Sequence, residues 1–232
     1  MNEQYTVPLA LQDFMPVALS SAGLFFLAEM MARADKAGRP VALLGAWLIM
    51  LGGGLKAAWK LNMAISGNNI AWMSDALFVL LAPGFILMAC ALRFAQLSMD
   101  GRPPRASLPS VAFGMAGLCV ALAAGLGAAM PSGSAWKFVL LGATTIANLT
   151  LSGLCIAQAL RMGKREVAAL FVINVVTVLI LQGLARIPQQ TIPLQWTEQI
   201  INTLSGAAFA YAAWKLSRET QTRLVEGRLQ FA

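Results

Sequence analysis

The chain has 232 residues, 58% of them hydrophobic and 12% charged, with a formal net charge of +7 and no histidine. A soluble domain is about 45–50% apolar and about 25% charged, so these figures exclude both a soluble globule and low-complexity disorder. The 3 cysteines stand singly in long apolar runs, which excludes a disulfide scaffold and leaves an all-α polytopic membrane protein.

A bilayer core takes about 20 apolar residues per helix. Seven such runs follow one another: Pro8 to Ala32, Val41 to Ala64, Ile70 to Ala95, Leu108 to Met130, Phe138 to Leu160, Glu166 to Ile187 and Trp196 to Leu216. The start Met1-Asn2-Glu3-Gln4 has no basic stretch, so the first run is expected to be a retained helix and not a cleaved signal. In the second run Gly52-Gly53-Gly54 is expected to let a neighbouring helix approach. In the third, Pro83-Gly84 is expected to kink the helix and line a cavity. The fourth run carries no charge, Asn or Gln and reads as a spacer whose apolar, Gly-rich face suits homo-oligomerisation. The tail from Ser217 to Ala232, with Glu219 and Arg223 spaced i,i+4, reads as a short helical extension at the surface.

Positive charge sets the orientation, because short loops rich in Lys and Arg stay in the cytoplasm. Arg33, Lys36 and Arg39 follow the first run, Arg102 and Arg105 the third, with Arg93 at its end, Arg161, Lys164 and Arg165 the fifth, and Arg218, Arg223 and Arg228 the last, with Lys215 at its end. The expectation is a seven-helix plasma (cytoplasmic, inner) membrane protein with its N-terminus outside and its C-terminus cytoplasmic. The net charge is then explained by anionic headgroups and not by nucleic acid.

Two short stretches suggest a repeat. Gly54-Leu55-Lys56-Ala57 before Trp72-Met73-Ser74-Asp75 is echoed by Gly183-Leu184-Ala185-Arg186 before Trp196-Thr197-Glu198-Gln199. Halves 8–95 and 138–216, joined by the spacer 108–130, would make a 3+1+3 parallel repeat, a plan found in carriers. This N-out, seven-helix plan resembles the SWEET and PQ-loop sugar carriers, and Pro188-Gln189 spells that family's dipeptide. The dipeptide stands in an outer connector and not at a helix start, and the first half lacks it. Pro16 and Pro83 lie within spans of the first half, and spans five to seven have no intraspan proline, so the resemblance is one of plan and not of motif.

Ionisable groups inside a span are costly and mark a site by default. At about 1.5 Å per residue, Asp13, Asp75 and Glu198 lie about 3–10 Å below the outer surface. Lys56 and Lys60 share one face of the second run, and Arg186 closes the sixth at the same level. Gln12, Asn62, Gln182, Gln199 and Asn202 surround them, and Asn148 and Asn174 lie deeper. The simplest object with this distribution is a polar cup open to the outside and narrowing toward mid-membrane. The competing reading is a set of ion pairs that fixes helix register, with Asn148 and Asn174 as interhelical hydrogen-bond glue. Lys60, nearest the surface, is expected to snorkel, and Lys56, which is deeper, to need an acidic partner or a bound anion. Trp59, Trp72, Trp136 and Trp196 fit an outer aromatic belt.

Without histidine, bis-His haem ligation, zinc hydrolase sites of the kind in adiponectin-receptor-like and ceramidase-like membrane proteins, and His-dependent acyl transfer have no residues to carry them, and no metal or cofactor is expected. No Cys-x-x-Cys or phosphate loop occurs, and Lys215 is at the wrong end of its run for a retinal Schiff base. Three readings are left. One is a carrier or receptor for a small polar or zwitterionic ligand. A second is an intramembrane enzyme acting on outer-leaflet lipid headgroups. The third is an accessory or structural subunit.

Overall fold

In a bilayer, backbone polar groups must be satisfied within the segment, which for isolated apolar runs means a helix. The computed structural model describes residues 6–102, 106–130, 133–184 and 191–227, and no strand occurs among them. The helices are α1 (Val7–Gln12), α2 (Phe14–Ala34), α3 (Arg39–Ser66), α4 (Ala71–Met99), α5 (Leu108–Ala129), α6 (Ala135–Arg161), α7 (Arg165–Leu184) and α8 (Ile192–Val225), with a 3-10 turn at Lys36–Gly38. Proline stands in the first turn of α1, α3, α5 and α8, where its missing N–H costs nothing. Ser107 and Thr191 cap α5 and α8 by accepting the N–H groups of Ser110 and Leu194. Gly67, at φ 69°, closes α3 in the left-handed conformation that a side chain would disfavour.

Pro16 and Pro83 both interrupt apolar runs, with different results. Pro16 has no N–H to give the Gln12 carbonyl four residues back, and the helix breaks at Asp13, between α1 and α2. Pro83 sits inside α4, which runs unbroken from Ala71 to Met99. The interruption of hydrogen-bonded helix is therefore at Pro16, while at Pro83, where a kink is expected, the helix continues.

Six segments are long and apolar enough to cross a membrane: Val7–Ala34 taken across its break, Lys36–Ser66, and α4 to α7. The seventh expected span, Trp196 to Leu216, lies inside α8, whose first turns carry Gln195, Glu198, Gln199 and Asn202. Its course follows from α2. Gln12 bonds Thr203, Gly206 meets Leu19, Gly23 meets Phe209, Thr220 donates to the Met30 sulfur, and Arg33 donates to Gln221. Residue numbers rise together, so the two helices are parallel over about 31 Å, close to the roughly 30 Å of a hydrocarbon core. α8 thus runs alongside α2 over the length of a hydrocarbon core, with Gln195 and Gln199 of its first turns buried.

The order of packing is α2, α3, α4, α6, α7, α8 and back to α2, with α5 outside against α4 and α6. α3 and α4 approach each other closely. A Cβ on Gly84 would stand 2.7 Å from Ile49 and 3.0 Å from the Gly45 carbonyl oxygen, and one on Gly52 would stand 2.7 Å from Leu81. Gly84 and Gly52 therefore act as packing residues, whereas Gly54 has nothing within 4 Å.

One end of the bundle is packed with Leu27, Met30, Met31, Met88, Leu92, Phe171 and Leu216, all buried. Polar ties close the same end: Lys164 to Glu219 at 3.0 Å, Arg161 to Asp100 at 3.2 Å and Arg223 to the Met162 carbonyl at 2.7 Å. The helical extension expected from Ser217 is present as the end of α8, which continues to Val225, and it is partly packed and not wholly at the surface, with Thr220 and Leu224 buried and Glu219 shared by Lys164 and Arg223.

Candidate functional site

At the opposite end the helices part around a cavity of about 410 Å³. The break at Asp13 places that carboxylate on the wall, followed one to three turns down α2 by Pro16, Val17, Ser20, Ser21 and Leu24. α3 contributes Lys56 and Lys60 from one face, with Gly53 and Ile49 below them. α4 adds Leu77, Leu81 and Phe85, α7 adds Leu181, and the start of α8 adds Glu198, Gln199 and Asn202. Every charged group is at one end. The deep end is apolar, and the distance from Lys60 down to Ile49 along α3 is about 16 Å.

Asp13 is the hub of the polar end. Its Oδ2 lies 2.7 Å from Lys60 Nζ, and Gln199 donates its amide N–H to Oδ1. Lys60 is therefore half of a largely buried ion pair and not a snorkelling cation, its side chain 23% exposed beside Asp13 at 9%. Lys56 donates to Ser74 Oγ at 2.6 Å and lies 4.0 Å from the centre of the Trp59 ring. Trp59 is itself buried and donates to Asn69 Oδ1 at 2.9 Å, so it supports the site and is no part of a lipid-facing belt. Trp72, well exposed, has the belt position expected of it. On the cavity wall, besides Asp13 Oδ2, which faces Lys60, Glu198 Oε1 and Gln199 Oε1 are buried with no hydrogen-bond donor among the described residues.

Of the residues expected at the site, Asp13, Lys56, Lys60, Glu198, Gln199 and Asn202 come together on the cavity wall. Asp75 does not, because it pairs with Lys137 of α6 at 2.6 Å, both side chains about one-third exposed. Asn174 bonds Ser205 Oγ of α8 at 2.9 Å and ties α7 to α8, as the glue reading expects. Asn148 and Gln182 are half-buried and stand off the cavity wall. The expected polar narrowing at mid-membrane is thus replaced by Leu24, Ile49, Leu81 and Phe85. Pro83 does not line the cavity, whereas Pro16 does. Arg186 and the dipeptide Pro188-Gln189 lie outside the described residues. Comparison with protein-family models, curated proteins and solved structures finds no match.

Proposed function

We propose that the chain is a multi-pass protein of the cytoplasmic membrane whose cavity takes a small zwitterionic ligand from the outer side, as a binding protein or as the outward-facing state of a carrier. The observation that carries the reading is the polar end of the cavity. Lys56 and Lys60 face Asp13 and Glu198 there, and Glu198 Oε1 and Gln199 Oε1 are buried with no donor among the described residues. A buried acceptor without a donor costs about 1–3 kcal/mol, which a ligand N–H would offset. The outer assignment rests on Arg33, Arg161, Lys164 and Arg223, which gather at the end away from the cavity, as residues of the cytoplasmic side do.

The test is thermal unfolding of the purified protein across a panel of amino acids, betaines and sugars, with wild type, Glu198→Gln and Asp75→Asn side by side. A ligand at about 100 times its Kd should stabilise the wild type by about 2.7 kcal/mol. Asp75→Asn should respond as the wild type does, since Asp75 faces Lys137 and not the cavity. Glu198→Gln should lose most of the shift. An equal shift in Glu198→Gln, or no shift with any compound, would count against the reading.

A further inference from the structure

The cavity differs in character between its two ends, and that difference restricts the chemistry of what fits. At the polar end, Gln199 is held by the bond from its amide N–H to Asp13, which leaves its Oε1 directed elsewhere. Glu198 Oε1 is buried beside it on the same helix turn. A carboxylate and an amide oxygen from two residues of the cavity wall match an ammonium with N–H to donate. Lys56, fixed by Ser74 and the Trp59 ring, brings a cation to the same end. The two lysines of the wall balance Asp13 and Glu198, so an occupant with a net charge would leave a surplus charge at membrane depth, and a neutral zwitterion would not.

The deep end has the opposite requirement. Toward the floor from Ser21, whose hydroxyl already donates to the Val17 carbonyl at 2.7 Å, the wall is Leu24, Ile49, Leu81 and Phe85. A polyol reaching this floor would leave hydroxyls without partners, at a few kcal/mol each. A zwitterion with no body would fill only the mouth. The volume, about 410 Å³, is in the range of a site for a ligand of roughly drug size.

We propose that the ligand is a zwitterion with an apolar body, its primary ammonium on Glu198 and Gln199, its anionic group toward Lys56, and its hydrocarbon chain or ring against Leu81 and Phe85. The inference rests on the reading of the cavity as a zwitterion site and adds the body and the N–H requirement to it. Two sources supply this chemistry: a free amino acid with a large apolar side chain, and a lipid with an ethanolamine headgroup entering from the bilayer.

The experiment reads binding by the fluorescence of the wild-type protein, in which Trp59 stands beside Lys56. In detergent the probes are L-phenylalanine, glycine, phenethylamine, 3-phenylpropionate and sucrose. In nanodiscs the comparison is phosphatidylethanolamine against phosphatidylcholine, whose quaternary nitrogen has no N–H. If the source is aqueous, L-phenylalanine binds at least tenfold more tightly than glycine and than either singly charged analogue. If the source is the bilayer, phosphatidylethanolamine displaces L-phenylalanine at least tenfold better than phosphatidylcholine does. Either result supports the proposal. Leu81→Ala should weaken L-phenylalanine about tenfold and leave glycine unchanged, and Glu198→Gln should weaken both. Glycine or sucrose binding as tightly as L-phenylalanine would overturn it, and with glycine the zwitterion site itself would stand. No saturable response to any probe or lipid would overturn both.

Discussion

Lys60→Met should lower the stability of the folded protein by roughly 3 kcal/mol, the low end for removing one partner of a buried ion pair. The loss comes less from the missing attraction than from what is left behind. Asp13 sits at a helix break with its side chain 9% exposed, and its remaining contact is the amide N–H of Gln199. The double variant Lys60→Met with Asp13→Asn should recover most of the loss, because it removes the stranded charge together with its partner. Lys137→Met, which removes the one-third-exposed partner of Asp75, should cost no more than about 1 kcal/mol. Thermal unfolding midpoints of the four proteins in one detergent check this. Equal losses for Lys60→Met and Lys137→Met would contradict the geometry.

The second large effect is expected at the α3 and α4 contact, where Gly84→Leu should prevent recovery of folded, monodisperse protein. A Cβ there already stands 2.7 Å from Ile49 and 3.0 Å from the Gly45 carbonyl, so a larger side chain must push the two helices apart. Overpacking of this kind costs about 1–3 kcal/mol in cores that can relax, and a backbone carbonyl cannot move aside as a side chain end can. Gly54→Leu, with nothing within 4 Å of the Cβ, is the control and should purify as the wild type does. Size-exclusion profiles after matched extraction distinguish the two.

The spans are readable in the sequence because the bilayer rewards one simple property, about 20 apolar residues in a row. α8 shows where that rule weakens. Its polar first turns lower its apolar content, and by length and composition it is not among the six segments long and apolar enough to cross a membrane. Depth is also readable, since it needs only counting along a helix, and Asp13, Lys56, Lys60 and Glu198 do share one level. What counting cannot supply is which neighbour a given helix face meets. Ser74 and Asp75 differ by one residue and so by about 100° around α4. Ser74 meets Lys56 of α3 while Asp75 meets Lys137 of α6, and only the ring order of the helices decides that. The same limit reversed the expected roles of the two lysines. Lys60, closer to the surface, has the carboxylate partner because α2 breaks at its level. That break had a visible cause in Pro16, four residues after the carbonyl it leaves unsatisfied.

The central claim is a water-accessible cavity that opens on the outer side and ends in a dry, packed core. It is tested by labelling intact cells with a charged, membrane-impermeant thiol reagent, in a background where Cys90, Cys119 and Cys155 are replaced by alanine. Asn202→Cys, on the cavity wall, should label fully in intact cells, and Asn148→Cys, off the wall at mid-span, should stay unlabelled. Labelling of Asn202→Cys only after the cells are permeabilised would put the mouth on the cytoplasmic side and contradict the account.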